Sequence, residues 1–258
     1  MKKFLPLLIP YTLYLVPFFS SAQDSSSTGK FFFRTSVNGA YILSYLTDER
    51  DILIAPIHWD NKNLDRAVAV IGATALVMTF DEPIKQFFQK NRSPLSDNLS
   101  KYGFEPIGSG VYTIGIVGLL YLEGLAFKNR RNRIAGLNSG KAVFLAGLTV
   151  EIPKLLFERH RPFESPNNPY QFDGPGEKGK FSSFPSGHTI VAFSLATVIA
   201  DEYRDIKWIP PLAYTLAGLV GLSRLNDNKH WASDVVMGAA LGYGIGKLVG
   251  RKHRMGKK

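Results

Sequence analysis

From Leu64 to about residue 250 the chain repeats one pattern, apolar stretches of helical periodicity closed by short segments rich in Gly, Pro, Asn and Arg. The spacing predicts helices over 64–89, 108–127, 139–158, 187–204, 208–224 and 231–249. Strand-type alternation is absent, and no internal repeat is present. Such a chain has to bury several apolar stripes against one another. The expected architecture is therefore all-α, a bundle of about six core helices. Gly238, Gly242, Gly244 and Gly246 put small residues along the last helix, where they favour close contact with a neighbour.

Three blocks in the second half carry chemistry: Lys154 to Arg161-Pro162, Pro185-Ser186-Gly187-His188, and Ser223-Arg224 followed by His230 and Asp234. They supply three fixed cations, two histidines and a carboxylate, an inventory suited to gripping a phosphate and breaking its ester bond. Lys154 and Arg161 are seven residues apart, close to two helical turns, so on one helix they would point the same way until Pro162 ends it. His230 and Asp234 are four apart and neighbours on a helix face, where the carboxylate accepts from one imidazole nitrogen and leaves the other free to attack. Pro185-Ser186-Gly187 precedes the apolar run Ile190 to Ala200. It therefore reads as a loop entering a helix whose first N–H groups favour an oxyanion. The loops before the fourth helix and before the sixth leave the bundle at the same end, which brings the blocks together.

Lys154-x6-Arg161-Pro162, Pro185-Ser186-Gly187-His188 and Ser223-Arg224-x5-His230-x3-Asp234 resemble the three-part signature of the type 2 phosphatidic acid phosphatase superfamily. That superfamily also holds class A acid phosphatases, glucose-6-phosphatase and vanadium haloperoxidases. The resemblance covers roughly residues 64 to 250, with every signature position filled. It implies His230 as the nucleophile of a phosphohistidine intermediate, Asp234 as its orienting carboxylate and His188 as general acid and base. It also implies Lys154, Arg161, Arg224, Ser186 and the Gly187 N–H as the phosphate cradle. Three cations stand where a two-metal phosphatase would cluster its carboxylates, so no metal or other cofactor is expected.

Taken singly, each block has a plain structural reading, a solvated helix face or a packed histidine; their occurrence in order favours the site. His58, His160 and His253 lack a partner pattern and read as structural or surface residues. The expected activity is hydrolysis of phosphomonoesters or lipid pyrophosphates, such as phosphatidic acid or polyprenyl pyrophosphate. The alternatives are a soluble broad-specificity acid phosphatase, a vanadium haloperoxidase, or an envelope binding protein with a relict site. The long 163–184 loop, with Phe163, Tyr170, Phe172 and Phe181, is expected to contact a lipid chain or close over a small ester.

Lys2-Lys3, the apolar stretch Phe4 to Phe19 and Ser20-Ser21-Ala22 form the three zones of a signal peptide over residues 1–22. The competing reading, an uncleaved anchor helix, is opposed by Pro6, Pro10 and Pro17. Residues 23–63 read as an arm, 64–250 as the phosphatase domain and 251–258 as a basic tail. Export places the chain in the periplasm or cell envelope. A net charge of +10 favours anionic lipid head groups or phosphorylated substrates, so a membrane surface is an expected partner. Nothing indicates nucleic acid, because the basic residues are not interleaved with aromatics, and oligomeric state is not legible. The apolar runs fall short of the ~20 residues a spanning helix needs. The basic stretch Lys128 to Arg133, read as a loop, conflicts with the positive-inside tendency if the signal is cleaved and six helices cross. Whether the bundle spans or leans on a bilayer stays open at this level.

Overall fold

The computed structural model describes residues 37–175 and 182–255, with side chains up to residue 250. The expected signal peptide, the leader after it, Phe181 and the side chains of the basic tail lie outside the described residues. Within them the fold is all-α. A single antiparallel bridge between Arg159 and Phe172 is the one β-type pairing among the described residues.

Helix α1, Gly39–Ile54, starts where the Asn38 side chain accepts the Tyr41 N–H. It is followed by α2, Asn61–Met78, capped by Asp60, and by α3, Asp81–Lys90. The predicted 64–89 helix is thus broken, with a 57° bend between α2 and α3. The bend has a physical reason: Asp81, the first residue of α3, is fully buried on Arg159 and Ser233, a contact that fixes the new direction. Three short turns, Pro94–Asn98, Leu99–Phe104 and Glu105–Gly108, lead to Gly110 at φ 90° and then to α4, Val111–Ala126.

Helix α5 spans Arg130–Thr149, so most of the basic stretch expected as a loop is its first turn. The Asn129 side chain caps it, and Arg131 is tied to Asp205 and the Glu202 carbonyl. Helix α6, Glu151–Phe157, stops at Glu158, which adopts a left-handed conformation with φ 39°. The single helix expected to carry both Lys154 and Arg161 up to Pro162 is therefore not formed, and Arg161 lies in the irregular segment beyond it. Helices α7, Gly187–Glu202, α8, Ile209–Asn226, and α9, Ala232–Met255, complete the chain, the last running past the expected end at 249.

Helix α7 is the central element, packed against α5, α8 and α9. One core cluster joins Ala142 and Leu145 of α5, Ile190 and Val198 of α7, and Ile245 and Val249 of α9. The close α7–α9 approach depends on missing side chains. A methyl at Gly238 would lie 2.7 Å from the Ser186 carbonyl oxygen and 3.2 Å from Thr189 Cβ, and Gly242 meets the Ile190 carbonyl as tightly. Gly244, expected in the same stripe, faces open space. Gly238→Ala should cost about 1–3 kcal/mol by overpacking, read as a lower denaturation midpoint. Gly244→Ala should leave the midpoint unchanged or raise it.

Helix α1 docks on α5 through a buried Lys141–Asp48 pair at 2.9 Å and a Tyr41 hydroxyl donating to the Leu137 carbonyl at 2.8 Å. Outward from this core, α1, α2 and α4 expose Ile42, Leu46, Val68, Ile71, Leu119 and Leu122. No single described helix is long and apolar enough to cross a membrane. Two bent pairs, α2 with α3 and the 94–108 turns with α4, reach that length and apolar character only together.

Candidate functional site

The three blocks meet at one end of the bundle, where α6, α7, α8 and α9 begin or finish. His230 is held from two sides. It is buried just before α9, and its Nδ1 lies 2.7 Å from the Ser183 carbonyl and 3.5 Å from Asp234 Oδ2. The expected His–Asp partnership is thus shared, with a backbone carbonyl as the nearer acceptor. Either way Nδ1 is engaged and Nε2 is the nitrogen left for chemistry. Burial pushes the His230 pKa down, and Asp234 pushes back less strongly.

Asp234 sits fully buried in the first turn of α9 and accepts from Arg159 Nη1 at 2.5 Å, Ser183 Oγ at 2.5 Å and the Trp231 N–H at 2.8 Å. Burial raises its pKa, but the charge of Arg159 and the bonds from His230 and Ser183 outweigh that and hold it below the ordinary carboxylate value. It therefore stays ionised beside the imidazole.

Arg159 was not singled out by its sequence. It is completely buried and forks between Asp234 and Asp81, with Nη2 2.7 Å from Asp81 Oδ2 and Nη1 2.7 Å from Ser233 Oγ. Two carboxylates and one guanidinium form a ladder under the site, closed by Ser233 donating N–H and Oγ–H to Asp81. Proximity to Arg161 in the same block is the only local hint of Arg159; Asp81 comes from a helix 78 positions earlier and had none.

Around His188, which His230 also approaches, stand the cations. Lys154 Nζ is braced by Glu151 at 2.9 Å and lies beside Gly187, close enough that a methyl there would sit 3.4 Å from it. Arg161 donates to Ser182 Oγ at 3.1 Å. Arg224, at the end of α8, donates to Ser223 Oγ and to Asp227 at 2.7 Å, and burial lowers its pKa. Each cation is held by a neighbour before any anion arrives, the condition for electrostatic preorganisation. Ser186, fully buried ahead of α7, accepts from Thr189 Oγ1 at 2.9 Å and gives its backbone N–H to the Asp234 carbonyl at 3.1 Å.

His188, in the first turn of α7, registers this company. Its pKa is pushed down to about 3, by burial first and then by Arg224, His230, Lys154 and Arg161. The five groups thus share one electrostatic environment. Glu105, also missed in the sequence, lies 3.3 Å from His188 Nε2 and 3.9 Å from Arg224 Nη1.

Both imidazoles are therefore neutral in the folded chain, while an unfolded chain protonates a histidine near its ordinary value of 6.5. The unfolded state then binds more protons, and stability is lost as pH falls from about 6.5 toward about 3. Without phosphate, the thermal midpoint should drop between about pH 7.5 and about pH 5, and His188→Gln should flatten part of that slope; a midpoint rising on acidification would contradict the assignment.

His160 and Phe172 have structural places. His160 Nε2 lies 2.7 Å from Asp173, and its carbonyl accepts from Trp231 Nε1. Phe172, expected among substrate-facing aromatics, packs edge-on against Phe157 and Phe184 and beneath Arg159. Phe163 and Tyr170 are exposed, with Lys229 over the Phe163 ring. Among the described residues no group of three or more His, Asp and Glu side chains converges to hold a metal ion.

The family model of the PAP2 superfamily matches residues 135–256, which contain all three blocks. A lipid A 1-phosphatase of Porphyromonas gingivalis is 34% identical over 138 residues, 52% of this chain and 28% of that protein. A decaprenylphosphoryl-5-phosphoribose phosphatase of Mycobacterium tuberculosis is 30% identical over 140 residues, 54% of this chain and 72% of that protein. The chain spans just over a quarter of the Porphyromonas protein's length, and less than two thirds of two further relatives. Among solved structures, the transmembrane PAP2-type phosphatidylglycerolphosphate phosphatase of Bacillus subtilis superposes with a TM-score of 0.50 at 21% identity, covering 87% of this chain and 98% of that one, a likeness of fold. With the motif residues gathered at one end of an all-α bundle and a relative matched over most of its length, the chain belongs to the PAP2 superfamily.

Proposed function

We propose that this protein is a phosphatase of phosphorylated lipids, acting on a lipid phosphate or pyrophosphate at a membrane through a phosphohistidine. The observation that carries the reading is the geometry of His230, with Nδ1 occupied by Ser183 and Asp234, close to His188, on which the charges of Arg224, Lys154 and Arg161 also act.

In the first step His230 Nε2 attacks phosphorus while the bond to the leaving oxygen breaks and His188 gives that oxygen its proton. The phosphorylated imidazole is cationic, and the ionised Asp234 balances it. In the second step His188 takes a proton from water, whose oxygen attacks phosphorus, releasing inorganic phosphate and neutral His230. Lys154, Arg161, Arg224, Ser186 and the Gly187 N–H hold the equatorial oxygens, where charge stabilisation is worth most. The cations that depress His188 are neutralised by an arriving phosphate, so its proton enters with the substrate.

The exposed apolar residues of α1, α2 and α4 support a membrane-associated enzyme, as do the lipid substrates in the names of the relatives. The signal-peptide pattern at residues 1–22 supports export to the envelope. Phosphate release from phosphatidic acid, polyprenyl pyrophosphate and a small aryl phosphate, in detergent with EDTA present, tests the reading. Preference for the lipids, undiminished by EDTA and inhibited by vanadate, is expected. Equal turnover of the aryl ester would favour a broad-specificity acid phosphatase, and metal-restored activity would overturn the mechanism.

A further inference from the structure

His188 packs against the short Glu105–Gly108 turn so closely that a methyl at Gly108 would lie 2.8 Å from its Cβ. That turn places Glu105 Oε1 3.3 Å from His188 Nε2 and 3.9 Å from Arg224 Nη1. The two histidines of the site are then built alike: each has one nitrogen next to a carboxylate, Asp234 for His230 and Glu105 for His188. The charged groups that otherwise act on His188 are cations, Lys154 from α6, Arg161 from the segment after it and Arg224 from α8, with the neutral His230 ahead of α9. Glu151 and Asp227 are occupied by Lys154 and Arg224. Glu105 is the carboxylate that contacts the His188 ring.

We infer that Glu105 is the positioning residue of the general acid, holding His188 by Nε2 so that Nδ1 exchanges the proton with the leaving oxygen and the protonated imidazole is supported once phosphate is bound. This deepens the phosphatase reading and rests on it. The proton balance is simple: His188 Nδ1–H goes to the leaving oxygen in the first step and is regained from water in the second, and Glu105 takes part in neither transfer.

A general acid matters most when the leaving group is a poor one. Glu105→Gln should therefore lower kcat/KM for an alkyl phosphate by about 10²-fold while leaving a dinitrophenyl phosphate within a few-fold of wild type. Removing the negative charge lowers the proton affinity of His188, so the falling alkaline limb of the kcat profile should move to lower pH. Glu105→Asp should recover part of both effects. A uniform loss across leaving groups with an unmoved pH limb would mean that Glu105 only shapes the turn, and would overturn the inference.

A second readout separates this from failure of the phosphatase reading. Histidine ring resonances, titrated with inorganic phosphate bound, should show the His188 midpoint lower in Glu105→Gln than in wild type. An unchanged midpoint overturns the inference whatever the activity. A lowered midpoint in a protein that hydrolyses no phosphate ester supports the Glu105–His188 pair and overturns the phosphatase reading instead.

Discussion

Replacing His230 by alanine should abolish turnover, by on the order of 10⁴-fold or more, with little change in the fold. The expectation of an intact fold follows from the bonding of its partner. Asp234 without His230 still accepts from Arg159, Ser183 and the Trp231 N–H, so no buried charge is orphaned. The Ser183 carbonyl loses its donor, a cost of about 1–3 kcal/mol, which a stable bundle tolerates. Phosphate release from the best substrate, together with the thermal midpoint, checks both halves. Retained activity would remove His230 from the nucleophile's role.

Arg159 gives the second large effect, of the opposite kind. Arg159→Met leaves Asp81 and Asp234 buried without their shared cation, and breaking a buried pair from one side costs about 3–5 kcal/mol. The variant should be strongly destabilised, and any folded fraction should turn over slowly because Asp234 has lost its anchor. Arg159→Lys keeps the charge without the fork and should recover part of the stability but less of the rate. Adding Asp81→Asn to Arg159→Met should relieve part of the cost, since one of the two unpaired charges is then gone. An unchanged denaturation midpoint in Arg159→Met would mean that the ladder carries no stability.

The fold class and the motif residues that gather at one end of the bundle were legible because both are encoded locally. The apolar runs at helical spacing mark α4, α7, α8 and α9 within a few residues. His188, Arg224, His230 and Asp234 sit at helix ends that the Pro-Ser-Gly turn and the His-x3-Asp spacing announce. Lys154 and Arg161 were found together for a partly wrong reason. The left-handed Glu158 ends α6 before Arg161, so a tertiary loop, not a shared helix face, brings them to one place. The basic residues 130–133 were misread as a loop because charge density outweighed the Asn129 cap and the contacts of Arg131 with Asp205 and Glu202.

What stayed hidden are groups whose meaning depends on distant partners. Asp81 on α3 resembles any acidic residue opening a helix until Arg159 and Ser233 close on it. Glu105 lies 83 positions from His188 and in no block. Ser183 meets His230 through its carbonyl and Asp234 through its hydroxyl, and no local pattern reveals either contact. The motif thus names the side chains that gather at one end of the bundle, while the residues that hold them in place emerge only with the packing.

The most direct test of the account is to trap the covalent intermediate. The protein is mixed with a phosphate-labelled lipid substrate, quenched in base within the first turnover, digested and mapped by mass spectrometry. The account predicts an acid-labile phosphate on the imidazole of His230, absent in His230→Ala and accumulating when His188→Ala slows its hydrolysis. Turnover without covalent phosphate, or with the label on another residue, would contradict it.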